Sequence, residues 1–224
     1  ALFHRNPDNV THQIIWEIRL PRALMASFVG AYLAISGAVM QALTRNPLAE
    51  PSLLGVSNGA AFALVLSLTV FSGLSIMGSI IASMIGAGLA VLLVFSLSAL
   101  SRGGVTPVKL ALAGMATGMF LSSLTTSMAL YFDVTKNISF WYAGELANSH
   151  WVEVKIITAI GLIGLPILLS IAHSLTLLSL GTDVTKGLGV NIKLVRALGI
   201  IVILLLTGSS VAVSGTIGFI GLVI

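Results

Sequence analysis

The most informative shortage in this 224-residue chain is charge. Only 8% of its residues are Asp, Glu, Lys or Arg, against about 25% in an average soluble domain. Hydrophobic residues make up 57% of the chain and the mean hydropathy is +1.08, so too few polar side chains remain to cover a surface that faces water. A chain of this composition needs lipid as its solvent. We therefore predict an all-α, polytopic membrane protein.

Cysteine is missing altogether. Its absence excludes disulfides, thiolate metal sites and cysteine nucleophiles, and it leaves the compartment undecided. The sequence also lacks a Gly-x-x-x-x-Gly-Lys-Ser/Thr run, so this chain cannot hydrolyse ATP itself. Basic residues outnumber acidic ones by 11 to 7. They are scattered, which is typical of membrane-flank charges and argues against a nucleic-acid partner. No cofactor and no metal site are predicted.

Six stretches without Asp, Glu, Lys or Arg divide the chain into predicted membrane helices. A helix needs about 20 apolar residues to cross a hydrocarbon core of about 30 Å. The predicted spans are residues 23–44, 54–71, 76–100, 110–132, 156–173 and 197–214. The sequence begins in a polar stretch without methionine and stops inside an apolar run. We therefore expect residues 1–224 to be a single transmembrane domain that is truncated at both ends.

The predicted loops differ in charge between the two sides of the membrane. One side carries Arg45, Arg102, Lys109, Lys186, Lys193 and Arg196 with two acids, and the other carries Arg5, Arg19, Arg22, Lys136 and Lys155 with five. An excess of Lys and Arg marks cytoplasmic loops, so we assign the first side to the cytoplasm. Arg19 and Arg22 then lie on the outer side, against this rule. The outer side also carries an aromatic cluster at residues 140–151, which is typical of a membrane interface.

The most distinctive pattern is the connection after the first predicted span. Two prolines four residues apart, Pro47 and Pro51, deny the backbone amides that a helix would use, so the chain must break there. Arg45 and Glu50 can pair across the break, and an ordinary polar turn between two spans fits the same residues. We call residues 45–59 the signature segment. Its candidate signature residues are Arg45, Asn46, Pro47, Leu48, Ala49, Glu50, Pro51, Gly55, Ser57 and Gly59.

Together with the run Gly-Ala-Val-Met-Gln at residues 37–41, this segment closely resembles the permease subunits of type II ABC importers, the FecCD-type permeases for iron–siderophores, haem or cobalamin. Five further runs match the family in order. They lie at residues 18–22, 112–114, 141–151, 180–190 and 215–222. Permeases of this family have ten helices, so the resemblance implies that this chain carries the second to the seventh.

The resemblance also implies partners and a location. An ATP-binding cassette ATPase subunit, an extracytoplasmic substrate-binding protein and a second permease subunit, identical or homologous, are expected in a bacterial cytoplasmic membrane. The preferred cargo is an iron–siderophore complex, with haem or cobalamin as the alternative. In the cobalamin importers that the chain resembles, arginines at the positions of Arg19 and Arg22 meet glutamates of the binding protein, which implies a docking role for both residues here. Alternatively, both side chains snorkel to lipid headgroups.

Residues 174–196 resemble the short helical pair that rests on the ATPase subunit, and we call this stretch the coupling segment. Its candidate contact residues are Leu180, Gly181, Thr182, Lys186, Gly187, Leu188, Gly189, Lys193 and Arg196. The three basic residues also fit the role of simple cytoplasmic anchors. A gate loop is implied at the start of the fourth predicted span. Its candidate residues are Thr106, Pro107, Val108 and Lys109.

The span at residues 110–132 is expected to line the transport path. Its candidate pathway residues are Ser122, Ser123, Thr125 and Thr126. Such hydroxyls either form a wet face or bond back to their own helix, and the sequence leaves both open. Glycines four residues apart, Gly55 with Gly59 and Gly114 with Gly118, predict close helix packing, with a hinge or pore lining as the alternative.

Two other functions are possible for a membrane protein with these motifs, a serine hydrolase and an ion-coupled secondary transporter. Gly55-Val-Ser57-Asn-Gly59 matches the nucleophile-elbow pattern of serine hydrolases, but that pattern needs a strand before the serine, and here a membrane helix begins. No catalytic residue is predicted. An ion-coupled secondary transporter usually carries carboxylates within its membrane helices. Here every Asp and Glu falls in a loop or at the end of a predicted span, so the driving energy must come from a partner.

Overall fold

The structure is a computed structural model that describes residues 9–100, 107–144, 146, 149–218 and 220. Nearly all regular structure in these ranges is helical and they contain no strand, which confirms the all-α prediction. The elements are α1 Val10–Ile14, a π-helical turn Ile15–Arg19, α2 Leu20–Thr44, a 3-10 turn Pro51–Leu54, α3 Val56–Thr69, α4 Ile76–Leu100, α5 Pro107–Tyr131, α6 Thr135–Tyr142, α7 Trp151–Leu180, α8 Thr182–Gly187 and α9 Ile192–Ser214.

Five of these helical stretches are long and apolar enough to cross a membrane. They are Val10–Thr44, Ile76–Leu100, Val108–Tyr131, Trp151–Leu180 and Ile192–Ser214. The remaining predicted span, residues 54–71, contains only the 14-residue helix α3, which is about 21 Å long at about 1.5 Å per residue. It starts late because the chain first makes a 3-10 turn and then needs a positive φ of 74° at Gly55.

Four helices extend beyond their predicted bounds, and the extensions of two of them bear on the candidate sites. The first continues in the N-terminal direction without a break from Val10, so Arg19 and Arg22 lie within a helix and not before one. Helix α7 continues past residue 173 to Leu180 because residues 174–180 contain neither proline nor glycine. The predicted helical pair of the coupling segment is therefore wrong in detail. It contains one short helix, α8, and Lys193 and Arg196 belong to the first two turns of α9.

Helix α9 lies at the centre of the bundle, in contact with α2, α4 and α7. Its residues Val202, Ile203 and Leu206 are completely buried. Elsewhere in the bundle, small residues allow helices to approach closely. Such packing matters because lipid supplies little hydrophobic drive for helix association. A Cβ atom added to Gly59 of α3 would overlap the Gly86 carbonyl oxygen of α4. This contact agrees with the packing interpretation of the glycine pairs.

Candidate functional site

The signature segment begins where α2 ends. Arg45 adopts the left-handed conformation, with φ 51° and ψ 40°, and so turns the chain away from the helix axis. The Asn46 side-chain Oδ1 then accepts a hydrogen bond from the Leu48 backbone N–H at 3.0 Å, and the Ala49 N–H donates to the Asn46 carbonyl at 3.1 Å. Ala49 is buried. The predicted break is therefore a compact turn that folds back into the protein.

The second half of the signature segment packs against α5. A Cβ atom added to Gly114 would overlap the Leu53 carbonyl oxygen and would lie 2.9 Å from the Leu53 carbonyl carbon. One turn further along α5, a Cβ on Gly118 would lie 2.6 Å from the Asn58 Nδ2 atom. The Leu53 backbone cannot rotate away, so only glycine leaves room at position 114. Gly114 thus brings α5 into backbone contact with the signature segment, and Gly118 leaves room for the Asn58 side chain.

A cavity of about 220 Å³ lies at this contact. Ser52, Leu53 and Asn58 line it from the signature side, and α5 contributes Gly114, Met115, Gly118 and Met119. Met115 and Met119 are exposed, at 46% and 71% of their surface. The signature segment therefore borders a face of α5 that no described part of this chain covers.

The pathway candidates lie further along α5. Ser123 and Thr126 are exposed, Ser122 is half-buried and Thr125 is buried. Each of three hydroxyls donates to the carbonyl four residues earlier in the helix. These bonds are Ser123 to Met119 at 2.9 Å, Thr125 to Leu121 at 2.7 Å and Thr126 to Ser122 at 2.9 Å. A hydroxyl that donates in this way keeps lone pairs that can accept a hydrogen bond. The role of these residues in transport stays a prediction.

Helix α6 places an aromatic side chain beside these hydroxyls. Burial raises the pKa of the Tyr142 phenol, and the neighbouring Ser122 and Thr125 hydroxyls act in the opposite direction. The Tyr142 backbone carbonyl accepts a hydrogen bond from the Thr216 hydroxyl at 2.8 Å, beyond the end of α9. The sequence predicted only an interfacial aromatic cluster here. It gave no sign that Tyr142 reaches α5, because the contact depends on how the helices pack.

The predicted gate loop is only partly visible. Thr106 lies outside the described residues. Pro107 opens α5, a position that suits proline because the first helical N–H has no partner in any case. Val108 is exposed and Lys109 is half-buried. The gate function of these residues remains a prediction.

The coupling segment is a tight turn held by a buried threonine. The Thr185 hydroxyl lies within donating distance of two carbonyl oxygens, that of Leu177 at 2.9 Å and that of Gly181 at 2.6 Å, which share its single proton. The Thr185 carbonyl accepts a hydrogen bond from the Val190 N–H at 3.2 Å. Thr185 is completely buried. Thr185 is not among the predicted contact residues, since nothing in the local sequence distinguishes it from an ordinary polar loop residue.

The surface of this turn combines apolar and basic side chains. Leu180, Val184 and Leu188 are 67%, 51% and 60% exposed. Lys186, Gly187, Gly189, Lys193 and Arg196 are also exposed, whereas Gly181 and Thr182 are half-buried. Gly181 and Gly189 have positive φ angles of 133° and 76°, a conformation that glycine adopts without strain. Large exposed side chains beyond the end of a span are typical of a protein-interaction surface.

The signature segment and the coupling segment meet. The Arg45 Nη1 atom lies 3.9 Å from the position of a Cβ atom on Gly181. Gly181 is the residue at which α7 ends. Arg45 and Gly181 are 136 positions apart in the chain. Their regions, which were predicted as separate sites, are therefore neighbours.

At the other end of the bundle, a proline frees an acceptor for a long-range hydrogen bond. In the π-helical turn, the Leu20 N–H bonds the Ile15 carbonyl five residues earlier. Pro21 has no N–H, so the Trp16 carbonyl lacks the corresponding donor. The Trp151 indole Nε1–H donates to that carbonyl at 3.0 Å. This bond attaches the start of α7 to the π-helical turn.

Arg19 and Arg22 are exposed beside this junction. A cavity of about 300 Å³ lies at the same end, lined by Trp16, Glu17, His150 and Trp151. The predicted docking arginines are thus carried by a continuous helix that Trp151 holds in place. Their role stays a prediction.

The hydrolase alternative finds no support in the described residues. Ser57 is half-buried in the first turn of α3, and a 3-10 turn precedes it where the nucleophile elbow requires a strand. The described residues also contain no group of three or more His, Cys, Asp or Glu that could hold a metal ion.

Comparisons with known proteins agree with this arrangement. The model of the FecCD transport family matches residues 1–224. The chain is 49% identical to the iron(3+)-hydroxamate import system permease protein FhuB of Bacillus subtilis and 42% identical to the iron-uptake system permease protein FeuB of the same organism, each over 224 residues. It is 41% identical over 216 residues to the vitamin B12 import system permease protein BtuC of Yersinia enterocolitica.

These matches cover nearly all of this chain and part of each relative. The chain spans 58% of the length of FhuB, 67% of FeuB and 63% of BtuC. Among solved structures, one described as an inward-facing metal-chelate type ABC transporter is 36% identical, with a TM-score of 0.85 over 97% of this chain and 70% of the other.

Proposed function

The chain belongs to the FecCD transport family, and on that premise we propose that it forms the membrane-spanning part of an ATP-driven importer for an iron–siderophore complex. Its relatives are permeases of ABC importers, whose ATPase lies on a separate subunit. The observation that carries the proposal is the match of the family model to the whole of residues 1–224. Five apolar helices long enough to cross a membrane agree with it.

The proposed cargo follows the names of the most similar permeases. The chain is 49% identical to a permease for iron(3+)-hydroxamate and 41% identical to one for vitamin B12. The difference favours a ferric hydroxamate siderophore. Cobalamin, and haem within the same family, are the alternative cargoes.

The outer face receives the substrate-binding protein in this proposal. Arg19 and Arg22 are exposed at the outer end of the first helix, where acidic side chains of the binding protein pair with them. Such pairing steers the encounter and fixes the docking register more than it adds affinity. The Trp151 contact with Trp16 keeps the arginines in position.

The cytoplasmic face receives the ATPase. The exposed leucines of the turn around α8, Leu180 and Leu188, supply apolar contact area, and Lys186 and Lys193 supply charge. A second permease subunit covers the exposed face of α5, and the path runs between the two copies of α5. ATP binding and hydrolysis shift the population between outward and inward states because nucleotide binds the two states with different affinity.

A reconstituted system tests the function. The whole permease is placed in liposomes with the ATPase and binding protein of its transport system, and uptake of labelled ferric hydroxamate, haem and cobalamin is measured. We expect ATP-dependent uptake of the ferric hydroxamate. Uptake of cobalamin or haem alone would assign the alternative cargo. Uptake driven by an ion gradient without ATP would contradict the importer.

Charge reversal tests the docking residues. The double variant R19E/R22E is expected to lose stimulation of ATPase activity by the binding protein while keeping the basal activity. The matched control is Lys155→Glu, which reverses an exposed basic residue at the same end of the bundle. Equal loss in both variants would show a general effect of surface charge and would contradict specific docking at Arg19 and Arg22.

A further inference from the structure

Arg45 has an unusual backbone conformation for its residue type. Among the described residues, only Arg45 and Asp133 are non-glycine residues with positive φ, at 51° and 57°. A residue with a Cβ atom is disfavoured in this region. Asp and Asn tolerate it because their short polar side chains bond the local backbone, and glycine is the usual choice just after a helix. An arginine side chain gains no such local bond. The reason for an arginine at this position therefore lies in what its long side chain contacts elsewhere.

The side chain of Arg45 reaches the end of another helix. Its Nη1 atom lies 3.9 Å from the position of a Cβ atom on Gly181, where α7 ends and the coupling segment turns. Arg45 itself is the residue at which α2 ends, and α2 packs against α7. The guanidinium therefore lies near the C-terminus of α7, whose partial negative charge favours a cation.

Two carbonyls at the end of α7 already have donors. The Leu177 and Leu178 carbonyls accept hydrogen bonds from the Thr185 hydroxyl and the Gly181 N–H. A guanidinium near this turn carries five N–H donors, which suit the remaining carbonyls directly or through water. A lysine supplies the same charge from a single, compact ammonium.

The other end of the same short segment is fixed on α5. Leu53 lies in backbone contact with Gly114, and Asn58 lies against Gly118. Between Arg45 and Leu53 the chain has few soft dihedrals, because Pro47 and Pro51 fix their own φ angles and Asn46 holds a closed turn. The signature segment is thus a short, stiff connection between the coupling segment and α5.

We propose that Arg45 is a positioning residue that ties the coupling segment to the signature segment, so that movement of the coupling segment reaches α5. This inference rests on the proposed function, because it assigns a route for coupling within that importer. It gives the signature segment a mechanical role in addition to its value as a family marker. Arg45 touches neither cargo nor nucleotide in this role.

Three substitutions separate the side chain from the backbone. Arg45→Gly removes the guanidinium and at the same time suits the left-handed conformation better, so loss of folding is not expected. Arg45→Lys keeps the charge. Asp133→Gly is the matched control, because it relieves the same kind of backbone conformation at the opposite end of α5.

Transport per ATP hydrolysed is the first measurement, made on the whole permease with its ATPase and binding protein in liposomes, with ferric hydroxamate as the probe. For R45G we expect unchanged basal ATPase activity and a loss of about tenfold in siderophore imported per ATP, within the usual range of coupling between sites. R45K is expected to restore most of it, and D133G to resemble the wild type. An unchanged import per ATP in R45G overturns the proposal.

Amide hydrogen exchange of the purified permease is the second measurement and does not depend on transport. R45G is expected to speed exchange at residues 182–190, and D133G to leave it unchanged. Unchanged exchange in R45G overturns the proposal even if the protein transports siderophores. Absence of ATP-dependent uptake in the wild type would contradict the proposed function, whereas the exchange result would still decide whether Arg45 holds the turn.

Discussion

Substitution of Gly114 by alanine tests the backbone contact on which the site depends. The added Cβ would overlap the Leu53 carbonyl oxygen, and it would also lie 3.5 Å from the Leu54 Cα atom. Each of these neighbours is backbone, which cannot rotate away as the end of a flexible side chain can. Either α5 or the signature segment must move.

The magnitude follows from two opposing terms. Overpacking of one methyl group costs about 1–3 kcal/mol, whereas replacing glycine by alanine within a helix contributes about 0.5–1 kcal/mol in the opposite direction. Gly88 of α4 is the matched control, because no atom lies within 4 Å of its added Cβ. Gly88→Ala therefore keeps the helix gain alone. The two variants should differ by the overpacking term, about 1–3 kcal/mol.

Thermal unfolding of the purified permease in detergent measures this difference. For a chain of this size about 1 kcal/mol corresponds to about 2–4 °C in Tm, so we expect G114A to unfold roughly 5 °C below G88A. G114A should also import less siderophore per ATP, because the displaced segment joins the coupling segment to α5. Equal Tm values for the two variants would refute the close approach of Leu53 to Gly114.

Three further substitutions test single hydrogen bonds by the same measurement. Trp151→Phe removes the indole donor to the Trp16 carbonyl and should destabilise the permease by about 1 kcal/mol; an unchanged Tm would contradict that bond. Thr185→Val removes the hydroxyl that serves two carbonyls at the end of α7 and should cost about 1–3 kcal/mol, with T185S retaining most of the stability. Tyr32→Phe removes the 3.1 Å bond to the Ile157 carbonyl and should cost about 1 kcal/mol; a gain in Tm would count against it.

Local chemistry allowed the breaks between helices to be predicted well. The prolines of the signature segment end α2 at Thr44, as expected, because they remove amide donors from any continuing helix. The glycine pair of α5 predicted close packing, and the structure places the Leu53 backbone against Gly114 and the Asn58 side chain against Gly118. These features depend on the residue itself or on its immediate neighbours, and for this reason a sequence reveals them.

Helix ends without such punctuation were predicted less well. The stretch at residues 174–180 alternates leucine with serine and threonine, which lowers its hydropathy without preventing a helix. Helix α7 therefore continues to Gly181, where the prediction had placed a loop. Contacts between distant residues were not predictable in this way. The bond from Trp151 to Trp16 joins positions 135 residues apart, and only the packed bundle brings them together.

The position of the 3-10 turn has a consequence for the transport path. Gly114 lies seven residues into α5, about 10 Å from its start at about 1.5 Å per residue, and the Leu53 backbone lies against it. Non-helical backbone at such a depth is tolerated only where protein buries it or a water-filled cavity borders it. In this segment the protein supplies the hydrogen-bond partners. Its Leu53 and Gly55 N–H groups are bonded to the Glu50 and Ser52 carbonyls at 3.1 and 3.0 Å.

The cavity of about 220 Å³ lies on the other side of this turn and offers a polar surface. Polar groups from Ser52 and Asn58 line it next to the exposed methionines of α5. In the proposed importer, a chelate moving inward along α5 would meet the hydroxyls of Thr126 and Ser123 before it meets the polar groups of Ser52 and Asn58. Asn58→Leu, which keeps the size of the side chain and removes its amide, is expected to lower uptake of the ferric hydroxamate several-fold with little change in Tm. Unchanged uptake would place the path away from this cavity, and a large loss of Tm would show that Asn58 serves packing alone.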